Sequence, residues 1–350
     1  MALLFVDGFD HYATADCNKK YDLIETAGQT FLITSNAGRR GTGGFVARAS
    51  SGGGTHSRLT KNIPNSETLF VGLAMKVSAA PTSVSNIVRF LDGTTLQAAL
   101  FLTPTLQLGL GGPTAGLTGG IAADQIPLNT FVYVEVKMTI ANTVSANSCI
   151  LRINGIEVAN ATAGDSQGTA NAFANRISIG LGTDGGFAHT GTFDDFYVCN
   201  TSGSVNNNFL GDCIVETIRP NVDGFYTDGT PSSGSSHYEM VDENTPNLTD
   251  FVTLAGVGDR DSFGFTNLTP LSSRVVYGVQ ANAAVAKDDG GTRIVAPFAR
   301  SGTTDLSGQT KAVAADQLYS SAVFETDPNT GTGWTQSSVN DAEFGLVVTE

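Results

Sequence analysis

Glycan hydrolysis is the first chemistry to test in this chain, because it needs only two carboxyl groups about 5–9.5 Å apart. On a single strand that means acidic residues two positions apart, on one face. Glu135 has no such partner, since its same-face neighbours are Tyr133 and Lys137. Asp194 and Asp195 are adjacent and so point to opposite faces. A pair split between two strands stays open. Calcium is the second chemistry: Asp7, Asp184, Asp194 and Asp195 could supply hard oxygen ligands. Against it stand the lack of an EF-hand-like ligand loop and the ordinary use of aspartates in turns and caps. His11, His56, His189 and His237 are scattered, with no Ser-His-Asp or Cys-His order, and read as solvated loop residues. Arg39-Arg40 reads as a surface spot or an ion-pair partner. Trp334, the single tryptophan, could stack on a sugar face, although burial under its Gly/Thr-rich loop is the commoner role. Trp334, Asp184 and His189 are the candidate residues for glycan or host contact; no catalytic set is expected.

The elements that must position these residues are strands. Phe193 to Cys199 alternates as one strand, preceded by the glycine-rich 180–186 and followed by the Asn/Ser-rich 200–208, which reads as a linker. Thr68–Val77 and Thr130–Ile140 alternate over long runs. Asp92-Gly93 and Asn154-Gly155 are hairpin signals. About ten short strands with almost no helical period predict an all-β sandwich of two antiparallel sheets. Past the linker, alternation resumes at 210–220, with Asp223-Gly224 and Asp228-Gly229 as turns. A long strand over 275–287 is expected to pair as a hairpin with 292–300, where Pro297 marks an edge or a bulge.

With 350 residues the chain has room for two domains. Its formal net charge of −14 repels phosphate backbones and anionic membranes, which argues against nucleic-acid binding or membrane insertion. Cys17, Cys149, Cys199 and Cys213 lack CxxC spacing, so zinc is not expected. Buried free thiols are the main reading, and a Cys199–Cys213 bridge an unsupported one. The opening residues lack a basic start and a long apolar run, so synthesis in a cytoplasm is expected.

The order of strands then carries a resemblance. A strand ending in Asp92-Gly93 is followed by Phe131–Lys137, the Ile153-Asn154-Gly155-Ile156 hairpin, Arg176–Gly180 and Phe193–Val198. This resembles the concanavalin A-like (laminin G or pentraxin-type) jelly roll over residues 1–203. That superfamily contains glycan binders, glycan-cleaving enzymes and spacers. Val215–Asn221, Gly258–Phe263, Val276–Gln280, Lys287–Arg293 and Asp327–Thr335 resemble structural proteins of tailed bacteriophages, over residues 210–350. That resemblance implies a virion component and transfers no catalytic residue.

The expectation is therefore two β-sandwich domains, 1–203 and 210–350, joined by a linker at 204–209. The chain is expected to be a non-enzymatic virion protein of tail, fibre or head surface. It would be made in the host cytoplasm, assemble with other virion proteins and with itself, and contact a bacterial surface glycan weakly through its loops. No cofactor is expected, with calcium left open. A carbohydrate-binding module is the alternative, and a glycan-degrading enzyme the third reading.

Overall fold

A computed structural model of the chain describes residues 1–49, 56–182, 189–270 and 275–350. Two compact units result, Met1–Val215 and Glu216–Glu350. The boundary lies beyond the expected 204–209 linker because 209–215 bond to the first unit. Leu210 and Gly211 donate backbone N–H groups to the Tyr197 hydroxyl and Glu135 Oε1, and Val215 donates to Asp195.

In the first unit the strands are β1 (Leu3–Asp7), β2 (Leu23–Glu25), β3 (Leu32–Thr34), β4 (Gly44–Ala49) and β5 (His56–Ser66). They continue with β6 (Thr68–Val77), β7 (Ser85–Asp92), β8 (Thr95–Leu102), β9 (Leu108–Gly111) and β10 (Gly116–Ile121). The last five are β11 (Val132–Thr139), β12 (Cys149–Ile153), β13 (Ile156–Ala161), β14 (Ala174–Gly182) and β15 (His189–Asn200). A short helix α1 (Cys17–Lys20) follows β1. One sheet runs β13-β12-β11-β6-β15-β4-β3, with β1 also on β15, and the other β10-β9-β8-β7-β14-β5-β2. Both are antiparallel, and their apolar faces supply the core: Phe45, Leu59, Leu73, Phe90, Leu100 and Phe193 are at most 0% exposed. This is the sandwich of two antiparallel sheets expected from the alternation. Asn154 and Gly155 carry φ of 51° and 79°, the left-handed pair a two-residue hairpin needs.

The closing strand β15 lies inside its sheet, between β6 and β4, with β1 continuing the β4 side. Its register against β6 shifts between Asp194 and Tyr197, and Asp195 sits there at φ 51°, a bulge that re-aims its carboxylate. Gly72 of β6 is paired with Glu135 on one side and Tyr197 on the other. The Tyr197 ring lies across Gly72, where a Cβ would meet Cε1 at 2.1 Å. The tyrosine can therefore reach Glu135 only because position 72 is glycine.

The second unit adds β16 (Pro220–Thr227), β17 (Thr230–Pro231), β18 (Val252–Thr253), β19 (Arg260–Phe265) and β20 (Val279–Val285). Then come β21 (Ile294–Ser301), β22 (Thr304–Ser307), β23 (Lys311–Ala312), β24 (Leu318–Phe324), helix α2 (Gln336–Asn340) and β25 (Glu343–Val348). The main sheet is β16-β19-β25-β21-β22, with β23 on β21, and β20 pairs with β24 as a separate ribbon. Ala299, Ala322, Phe324, Trp334, Val339 and Phe344 form a core between ribbon, helix and sheet. Three local expectations are corrected here. The alternating 210–220 run is not a strand: the N–H groups of Leu210, Gly211 and Val215 bond to side chains of their own unit, that of Arg219 bonds to the Thr266 hydroxyl, and β16 starts only at Pro220. Asp223-Gly224 lies within β16 rather than in a turn. The 292–300 strand does not pair with 275–287: β20 takes β24, and β21 takes β25. Pro297 is tolerated inside the sheet because β23 pairs only up to Val295 and β22 only from Phe298.

Gly72→Ala should lower unfolding free energy by about 1–3 kcal/mol through overpacking against Tyr197. A urea titration measures it, and an unchanged midpoint would mean that the ring moves aside freely.

Candidate functional site

The polar residues that drew attention in the sequence converge on one face of the β15 sheet and are sealed there. Glu135 is 0% exposed; its Oε1 accepts from the Tyr197 hydroxyl at 2.6 Å and from Gly211 N–H at 2.8 Å. Asp195 is 1% exposed and is met by Arg39 at 2.9 Å, Arg40 at 3.4 Å and the Val215 N–H at 2.8 Å. Arg39 also bonds Asp212 and the Cys213 carbonyl, and its guanidinium lies 5.1 Å from the Tyr133 ring centre. Asp194 accepts from Arg39 N–H at 2.7 Å and the Thr42 hydroxyl at 3.3 Å. Burial pushes the Asp194 carboxyl up to about 7, with Asp195 beside it adding to the rise. Burial also raises Asp195, against the Val215 N–H and the two arginines. Neither Glu135 nor Asp195 is open to a substrate.

Two of the calcium candidates are already partnered. Asp7 is paired with Lys20, and Asp195 with Arg39 and Arg40, so protein cations hold these two carboxylates. Among the described residues no group of three or more metal-ligating side chains occurs. Asp184 lies outside the described residues. The four cysteines are free, with Cys199 and Cys213 unbridged, and burial pushes the Cys213 thiol up to about 12.

The other two contact candidates are corrected. Trp334 is 4% exposed, donates its indole N–H to the Phe324 carbonyl at 2.9 Å, and stands 5.9 Å from the Phe344 ring. It is a core residue with no face for a sugar. His189 opens β15 at 4% exposure, and burial pulls its imidazole down to about 4. His237 is likewise buried, with Nδ1 2.8 Å from Asp261. These two are therefore not solvated loop histidines.

The open polar surface is on the other sheet and was not picked out from the sequence. Side chains at Arg58, Thr60 and Asn62 share one face of β5 by alternation. Register extends that face: Thr60, Ser178, Arg89 and Ala99 stand in one row, and Asn62, Arg176 and Leu91 in the next. Leu23, Glu25, Thr60, Arg89, Leu91 and Arg176 line a hollow of about 40 Å³. Glu25, paired with Arg58, reaches Arg89 at 3.7 Å and His56 at 3.8 Å. Gly180 and Gly182 give Arg58 its path, since a Cβ at 182 would meet its guanidinium. Arg89 and Arg176 thus line one hollow with a single carboxylate, Glu25, while Arg58 runs along the same face to Gly182, in a chain of net charge −14. Even-numbered arginines on β5 and β14 were the available signal, but only the register shows that they meet Arg89.

The fold and this face define a jelly-roll β-sandwich with a cationic hollow on one sheet. No protein-family model and no curated protein matches the chain. Solved structures similar to it include a sialidase, at 13% identity and TM-score 0.38, covering 51% of this chain. The chain spans only 17% of that sialidase. A cellulose-induced protein, Cip1, is similar at 12% identity and TM-score 0.39, with 50% of this chain and 89% of that one covered. An alginate lyase from Klebsiella pneumoniae is similar at 11% identity, with 50% and 85% covered. The expectation of a non-enzymatic chain is corrected by this finding: lyases and a sialidase stand among the similar folds, and the lack of a same-strand carboxylate pair does not decide the question.

Asp194→Asn should change how stability depends on pH. In the folded chain Asp194 holds its proton up to about 7, against an ordinary value of 3.8. Its contribution is therefore fully present below pH 3.8 and is lost as pH rises to about 7. The wild type should lose stability relative to the variant across that window, and parallel curves from chemical denaturation would overturn the assignment.

Proposed function

We propose that the first unit binds an acidic glycan through the cationic hollow of the β14 sheet. The observation that carries this reading is that Arg89 and Arg176 line one hollow on this sheet with a single carboxylate, Glu25. Guanidinium groups bind carboxylate and sulfate oxygens in two parallel hydrogen bonds. Leu23 and Leu91 give an apolar floor to the hollow. The sealed cluster around Asp195 then serves the scaffold. The Glu25–His56 pair at 3.8 Å supplies an acid–base couple at the margin, so the same ligands are also to be assayed for cleavage.

The virion setting is proposed beside it, on the sequence resemblance of residues 210–350. The second unit's exposed apolar side chains support a partner-facing surface: Phe225 is 65% exposed, Leu248 67% and Val257 73%. Antibody labelling of intact phage particles tests it, and labelling of none would overturn it.

Titration calorimetry with a uronic-acid tetrasaccharide should give binding that weakens with salt and falls at least about tenfold in Arg89→Ala and Arg176→Ala. The matching neutral tetrasaccharide should not bind. Equal binding of the two sugars, or variants like wild type, would remove the hollow as the site.

A further inference from the structure

At the end of β1 the Asp7 side chain is 0% exposed, and it faces Lys20, whose side chain is 1% exposed, across 2.9 Å. Lys20 closes helix α1, thirteen positions on. Two phenols point at the other carboxylate oxygen: Tyr12 and Tyr21 donate to Oδ2 at 2.7 and 2.8 Å. The Phe9 N–H donates to Oδ1 at 2.9 Å. His11 Nε2 lies 3.0 Å from Lys20 Nζ. The Phe5 and Tyr12 rings flank the ammonium at 5.5 and 5.3 Å. A nucleophile, a base, and two donors on the oxygen that would carry negative charge therefore surround one carboxyl carbon.

We propose that Lys20 and Asp7 condense into an isopeptide bond, so that β1 and α1 become covalently joined. The ion pair supplies every atom. His11 takes one proton from the Nζ ammonium, and the freed electron pair forms a bond to Asp7 Cγ. Negative charge moves onto Oδ2, where the Tyr12 and Tyr21 hydroxyls hold it. On collapse the Cγ–Oδ1 bond breaks. Oδ1 leaves as water, with one proton returned by His11 and a second from Nζ, and one hydrogen stays on the amide nitrogen. No oxidant or cofactor takes part.

Two physical terms favour the product. Reactants fixed at contact distance behave as if at effective concentrations of about 10⁵–10⁸ M. Condensation also replaces two charges buried without water by one neutral amide, which removes their desolvation cost. Burial pulls the Lys20 ammonium below its ordinary value, which eases loss of the first proton, while Asp7 opposes this. The Asp7 carboxyl is held below its ordinary value, where burial is outweighed by Lys20, His11, the Tyr12 hydroxyl and the Phe9 N–H. Of these the Tyr12 hydroxyl, with that of Tyr21, also holds the developing oxyanion on Oδ2.

The test is a tryptic map of the intact folded protein, denatured only after incubation at neutral pH. Trypsin cuts after Lys19 and Arg39, and a modified Lys20 blocks the cut between. The expected product is a branched peptide, residues 1–19 joined to 20–39, lighter than their sum by one water. Asp7-Gly8 could lose water by cyclising on itself, but that leaves Lys20 open to trypsin and yields no branch. Lys20→Arg should abolish the branched peptide, and His11→Gln should slow its appearance without preventing folding. Complete cleavage after Lys20 in the wild type, with 1–19 recovered unlinked, would overturn the proposal. Should Lys20→Arg fail to fold, the wild-type map decides alone.

Discussion

Asp195 holds a charge in a place where water cannot reach it, and much of the first unit is arranged to compensate. A buried carboxylate without partners is strongly disfavoured, so cations and backbone donors must be brought to it. Arg39 and Arg40 come from the loop before β4, and the Val215 N–H from the segment after β15. The bulge at Asp194–Tyr197 is what turns the carboxylate toward them. Two stretches, one before β4 and one after β15, are thereby fixed to one strand.

The neighbouring pair, Glu135 and Tyr197, works by the same rule with a different partner. Tyr197 reaches across Gly72 and carries a hydroxyl to Glu135, and the 209–211 segment closes over both with two backbone N–H groups. Phe209 caps this region, edge-on to Phe70 and stacked under the Arg152 guanidinium. One sheet of the sandwich is thus covered by the chain's own polar loops. The outer face of the other sheet keeps its arginines at a surface hollow. The acidic residues that looked chemical are therefore held inside the scaffold, while Arg89 and Arg176 line a hollow at the surface.

Alternation alone was enough to call an all-β chain, to place β6, β11 and β15, and to locate the Asn154-Gly155 hairpin, because strand period and turn preference are local properties. Sequence left Arg39-Arg40 as a surface spot or an ion-pair partner, and the fold decided for the pair with Asp195. Sequence favoured burial for Trp334 but could not tell that His189 is buried, because burial depends on which strands pack above it. Nor could it place Arg58, Arg89 and Arg176 together: they lie on three strands whose adjacency is set by long-range pairing. The same holds for β20, which local pattern joined to β21 and the sheet gave to β24. Periodicity fixes which way a side chain points on its own strand. Only the tertiary register, decided by how two faces bury together, fixes what it points at.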